Sequence, residues 1–262
     1  MLDVHPPHEA AHTWKDFFIH IATIVVGLLI AIGLEQAVER IHEHYELRET
    51  REALQQELEA NRADVRNCAL NWRWEIVMLE ADLETMRYLQ QHPGTKPADV
   101  PAEPRFTNYP CTYSSAVWDA AEKNGITRLM PLAEANKHAN RYRMLAGLVA
   151  QDLEGWNSLN DAGRYRGLHP DPTTMSPVEA DDTVRLLEIA MEKKILEGDS
   201  LGLLHARIPA LDVPVSWEEV GRHQLDAGDA NPQAWAAAHA RMLQRMQAAG
   251  YKRDDILSQL AR

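Results

Sequence analysis

The sequence predicts an all-α fold built on a membrane-crossing helix, and three observations predict it. Residues 17–34, FFIHIATIVVGLLIAIGL, form an apolar run without a charge. Residues 35–91 contain neither glycine nor proline and are rich in Glu, Gln, Arg, Leu and Ala, which propagate helix well. Alternation of β-branched residues, the signature of a half-buried strand, is nearly absent elsewhere. The expected architecture is a transmembrane helix continuing into a long amphipathic helix that packs in a helical bundle.

In chain order, residues 1–16 form an N-terminal tail. His8-Glu9-Ala10-Ala11-His12 matches HExxH, which on a helix offers two imidazoles to zinc and a carboxylate to activate water. His5 could add a third ligand. The match sits just after Pro6-Pro7 and beside the apolar run, with no surrounding domain to wall a substrate cleft. His8, Glu9 and His12 are therefore weak metal candidates, and no metal, cofactor or catalytic residue is expected.

The transmembrane helix is placed at 17–34, bracketed by Lys15 and Asp16 before it and Glu35 after it. At about 1.5 Å per residue it spans roughly 27 Å, close to the hydrocarbon thickness of a bilayer. Trp14 stands where an amphipathic ring favours the headgroup zone. A signal peptide cut near Ala31-Ile32-Gly33 is the competing reading, but Lys15 among Asp3, Glu9 and Asp16 makes a poor positive n-region. A buried soluble helix is the other. Within the run Thr23, Gly27 and Ala31 recur every fourth residue, a stripe of small side chains where a second helix can approach, and His20 lies one turn before Thr23 on the same side.

Residues 35–91 are expected as a long helix or coiled-coil stalk. The stripe continues through Leu34, Val38, Ile41 and Tyr45 by alternating steps of three and four. A second seam follows through Leu54, Leu58, Asn61, Val65, Cys68 and Trp72, then Ile76, Leu79, Leu83 and Met86, with a phase slip near Tyr45–Leu47. The near-membrane part is expected to pair with another copy and the distal part to pack on its own body. His42-Glu43-His44 cannot clasp one ion, because residues two apart point to different helix faces.

Residues 92–112 carry Pro93, Pro97, Pro101, Pro104 and Pro110 and are expected as an extended return loop. A helical bundle domain then covers 113–262. Its helices are expected at 114–124, stopped by Gly125; at 131 to about 162, with a weak point at Gly147; from the capping box Ser176-Pro177-Val178-Glu179; from a second box, Ser216 to Glu219; and after Asn231-Pro232. On the last of these Trp235, His239, Met242 and Met246 share a face, expected as core. The acidic pairs Asp181-Asp182 and Asp254-Asp255 begin or line helices and need no catalytic role.

Composition closes off some functions. The formal charge of -12 over 262 residues suits no phosphate backbone, so nucleic acid is not an expected partner. No GxSxG, phosphate-binding glycine loop, dinucleotide fingerprint or EF-hand occurs. The two cysteines, Cys68 and Cys111, fit no zinc or CxxC spacing; they form a possible disulfide if the body lies in an oxidising compartment, and otherwise serve as small hydrophobes.

Trp14-Lys-Asp-Phe-Phe-Ile-His-Ile-Ala-Thr-Ile24, the run from Gly27 to Glu35, and Ser115-Ala-Val-Trp118 through Gly125 resemble a group of uncharacterised bacterial single-pass membrane proteins. The resemblance covers about the first half of the chain and implies an inner-membrane anchor followed by a helical domain, with no activity attached. It also implies a body outside the cytoplasm, whereas Lys15 against Arg40, Arg48 and Arg51 mildly favours a cytoplasmic body. The reading is a membrane-anchored helical interaction or assembly protein with a periplasmic body. Its expected partners are the lipid bilayer and a second copy or a larger membrane complex; a signal-transmitting sensor and an enzyme with an unrecognised site are the alternatives.

Overall fold

The computed structural model describes residues 14–101, 104–106 and 108–226, together with positions 233, 236, 237, 240, 241 and 244. Five α-helices occur among them, α1 (Trp14–Gln91), α2 (Ala116–Lys123), α3 (Leu132–Leu168), α4 (Pro177–Arg207) and α5 (Trp217–Asp226), with short 3-10 turns between, and no strand. The fold is all-α.

Helix α1 runs unbroken for 78 residues, about 120 Å at 1.5 Å per residue. Its apolar stretch is long enough to cross a membrane, with a mean hydropathy of 2.6 over the best 18-residue window and none of that window buried. Every residue from 17 to 34 is exposed. The burial changes farther along: Leu54, Leu58, Asn61, Val65, Cys68, Trp72, Ile76, Leu79, Leu83 and Met86 are all buried. One helix is thus bare at its start and forms the central column of the body at its end.

α4 packs against that column, and α3 packs against α4, reaching α1 through side chains. α3 rises alongside α1: Arg51 pairs with Glu134 near the start of α3, Tyr142 donates to Glu57, and Gly163 faces Phe106 near the level of Asp82. α4 descends, so Gln90 meets Asp181, Arg87 meets Glu188, and Trp72 lies against Gly198. α5 closes the side of α1, with Arg66 bonded to Glu219 at 2.6 Å and Arg73 bonded to the Val215 carbonyl under the Trp217 ring.

Local chemistry explains the helix starts. Ser176 and Glu179 form a reciprocal capping box with Pro177 at the first helical position. Ser216 and Glu219 exchange the same pair of bonds at 2.8 and 3.2 Å. Gly125 takes φ +76° after α2, a left-handed conformation that glycine adopts without steric cost.

Two boundaries differ from expectation. α2 starts at Ala116, two residues late, because the Ser114 backbone is engaged by Asn61. α3 continues past Ala162 and Gly163 to Leu168, since Gly163 lets Phe106 lie directly on the helix. Gly147 causes no break. Trp235, His239, Met242 and Met246 lie outside the described residues, as does Asp254-Asp255; Arg241, which is described, pairs with Glu84 of α1.

Candidate functional site

A dense group of ionisable side chains lies buried inside the body. Asn61, Cys68, Glu75 and Asp82 repeat every seventh residue along α1, and all four are buried. A heptad repeat keeps them on nearly one line. Against that line runs the proline-rich return segment, antiparallel to α1. Asp82 accepts the amides of Arg105 and Phe106 at 2.9 and 2.8 Å. Glu75 accepts the amide of Tyr109. Cys68 meets Cys111. Asn61 accepts from the Ser114 amide at 2.7 Å and donates to its carbonyl at 2.8 Å. One turn earlier, Glu57 accepts from the Val117 amide at 3.0 Å, the Ser114 hydroxyl at 2.8 Å and the Tyr142 hydroxyl.

The registers match. From Asp82 back to Asn61 a helix covers about 31 Å at 1.5 Å per residue, and from 105 to 114 an extended chain covers about 30 Å at 3.3 Å per residue. An extended segment without a sheet neighbour would bury unpaired amides. Here α1 side chains take the neighbour's place. Phe106 is held at φ +49°, a left-handed conformation costing about 1 kcal/mol or more in a non-glycine residue, and its amide is one of the two that Asp82 binds.

At the centre of this arrangement is Lys194 of α4, fully buried. Its Nζ lies 2.6 Å from Glu75, 3.1 Å from Asp152 and 2.9 Å from Glu197. Asp152 also accepts the Cys111 amide at 2.8 Å, and the Cys111 Sγ lies 3.8 Å from Glu197. Two glycines make the room. A Cβ at Gly155 would press to 3.1 Å from the Lys194 Cε, and one at Gly198 would fall within the Trp72 ring. The Trp72 indole in turn donates to the Lys194 carbonyl.

One ammonium cannot balance three buried carboxylates, so the surplus negative charge favours protonation. Burial raises Glu75 to about 8 and Glu197 to about 7, with Lys194 only partly offsetting it. Burial lowers Lys194, and the carboxylates of Glu75, Glu197 and Asp152 more than reverse this, leaving it raised. Asp82, fully enclosed, rises to about 6 despite its two backbone amides.

Cys111, Asp152 and Glu197 offer one ligand atom each within 4.8 Å of one another, a spacing a metal ion could use. The Lys194 ammonium already stands among these carboxylates, and the Cys111 sulfur is bonded to Cys68. The set fits a lysine-filled ion cluster better than a metal site. With side-chain exposures of 1 to 4% for its four members, the cluster is closed to substrate. It ties α1, α3, α4 and the return segment together.

Of the residues picked from the sequence, Cys68 and Cys111 belong to this arrangement and the transmembrane stripe does not. His20 Nδ1 lies 3.0 Å from the Asp16 carbonyl and Thr23 donates to the Ile19 carbonyl at 2.9 Å, so both are satisfied within α1. Gly27 has open space where a Cβ would stand, and Ala31 is exposed. Cys68 and Cys111 are joined as a disulfide with Cα atoms 5.1 Å apart. His8, Glu9 and His12 lie outside the described residues. Sequence reasoning missed Glu75, Asp82, Asp152, Lys194 and Glu197. The seven-residue spacing from Asn61 through Cys68 was the available signal for the first two; nothing local marks the others. No protein-family model, no curated protein and no solved structure matches the chain.

Proposed function

We propose that the chain is a single-pass membrane protein of the bacterial inner membrane, with a periplasmic helical body that acts in interaction or assembly. The observation that carries this is the division of α1 into an exposed stretch, apolar over residues 17–34, and a buried stretch that organises the body. Eighteen consecutive exposed residues without a charge, most of them apolar, are costly in water and favourable in lipid. The helix emerges at Glu35, and Leu47, which packs on the core, stands about 18 Å farther along at 1.5 Å per residue, one turn before the Arg51–Glu134 pair.

The disulfide between Cys68 and Cys111 supports an oxidising compartment. The ion cluster supports a structural interior, since its charges are spent on each other and on backbone amides. Work is then left to surfaces. Alkaline phosphatase fused after Arg262 is expected to be active in cells, and the chain to stay with membranes through alkaline carbonate. An inactive fusion overturns the periplasmic body; release by carbonate overturns the anchor. Co-purification from native membranes with mass spectrometry tests the assembly role, and recovery of the chain without any stoichiometric protein partner, its own copies included, overturns it.

The unbroken helix also favours a second reading, a sensor passing a rotation or shift along α1. Insertion of one residue near Glu46 would then change output without changing abundance.

A further inference from the structure

The exposed stripe and the body lie on opposite faces of α1. At 3.6 residues per turn, Val38, Ile41 and Tyr45 centre roughly half a turn away from the line through Leu54, Leu58, Asn61, Val65 and Trp72. The burial pattern agrees. Glu43, Glu46, Leu47 and Thr50 are already half-buried on the body side, and Leu47 packs on the core. Val38, Ile41 and Tyr45 remain 62, 57 and 56% exposed. The phase slip near Tyr45–Leu47 thus marks where the buried face ends: among the described residues the body covers one face below it, and no other helix covers the opposite face above it.

We propose that this second face binds a second copy of the chain, in parallel and in register, with the two bodies splayed to opposite sides. Three features select that occupant. Two copies inserted in one membrane share direction and depth, so Val38, Ile41 and Tyr45 stand at the same height as their own counterparts and pair as a coiled-coil seam. The stripe continues without a change of face into His20, Thr23, Gly27 and Ala31, whose small side chains allow close approach in lipid. The edges are complementary: in a two-fold pair His44 on one edge of the seam meets Glu49 of the partner subunit twice, five residues along, while Arg48 lies over its own Tyr45 ring and pairs with its own Glu52. Because the described part of each body packs on the far face of its own α1, it does not obstruct the contact.

The proposal rests on the anchor reading, and the test separates the two. Single cysteines at Val38→Cys, Ile41→Cys and Tyr45→Cys are compared with Gln36→Cys and Glu43→Cys, which face the body side, by oxidative crosslinking of the full chain in native membranes. A coiled-coil seam predicts a disulfide-linked dimer at the first three positions, about ten-fold more than at the other two. Equal product at all five, which is random collision, overturns the proposal. So does no product at the stripe in a chain that resists carbonate extraction, which leaves the anchor standing. An adduct to a different protein at Val38 or Ile41 assigns the face to that partner and overturns self-pairing. A chain released by carbonate overturns the anchor and the pairing together.

Discussion

Lys194 is the residue on which most of the interior depends. Glu75, Asp152 and Glu197 all approach it within 3.1 Å. Replacing it by methionine keeps the stem and removes the charge, leaving three carboxylates facing one another. Removing one partner of a buried ionic set costs about 3–5 kcal/mol. Urea unfolding of the detergent-solubilised Lys194→Met chain should show a loss of that size, and a midpoint within error of the parent would contradict the role given to the ammonium. The same cluster sets a pH dependence. Glu75 and Glu197 hold their protons up to about 8 and about 7, above the ordinary 4.5. Their contribution is complete below about pH 4.5 and is lost as pH rises through the folded values, because the unfolded chain releases those protons first. Melting temperature followed by circular dichroism should fall between about pH 4.5 and pH 8. Glu75→Gln, which keeps an acceptor for the Tyr109 amide and never ionises, should flatten that fall. An equally steep decline in the variant would place the titration elsewhere.

At the scale of elements, the return segment and the α1–α4 contact carry separate predictions. Asn61 exchanges two bonds with the Ser114 backbone. Asn61→Ala removes both partners from the half-buried Ser114 backbone, at a total cost of about 1–3 kcal/mol, the lower end where water reaches it. Hydrogen exchange should show the Ser114 amide losing protection while mid-α4 amides keep theirs. Gly198 permits the closest approach of α4 to α1, its Cα hydrogen lying where the Trp72 ring packs. Gly198→Ala should destabilise by about 1–3 kcal/mol through overpacking, despite alanine's better helix propensity. In a Trp72→Leu background the same change should cost little, and an undiminished cost would show that the ring is not what the methyl meets. The seam from Leu54 to Met86 was readable in the sequence as a run of threes and fours, and the helix starts at Ser176 and Ser216 as capping boxes. The end of α3 was not, because Gly163 reads locally as a break. Only Phe106, 57 residues earlier in the chain, turns that glycine into a packing site.

For the whole molecule, the Cys68–Cys111 link closes a loop between the column and the return segment, across a separation of 43 residues. Chain-entropy arguments assign such a loop about 4 kcal/mol, acting mainly on the unfolded state. Thiol reductant should lower the denaturation midpoint of the parent chain and leave a Cys68→Ser, Cys111→Ser chain unaffected; a parent insensitive to reductant would show that the link contributes nothing. The sequence by itself determined the all-helical class, the apolar segment at 17–34 and the two stripes on α1, because each depends on short-range spacing and on which side chains tolerate water. The tertiary structure alone decided that α3 runs through Gly163 to Leu168, and that Glu75, Asp152, Glu197 and Lys194 meet. Burial of charge is set by what other segments bring to the same point, and residues 75, 152 and 194 share no local pattern that could announce it.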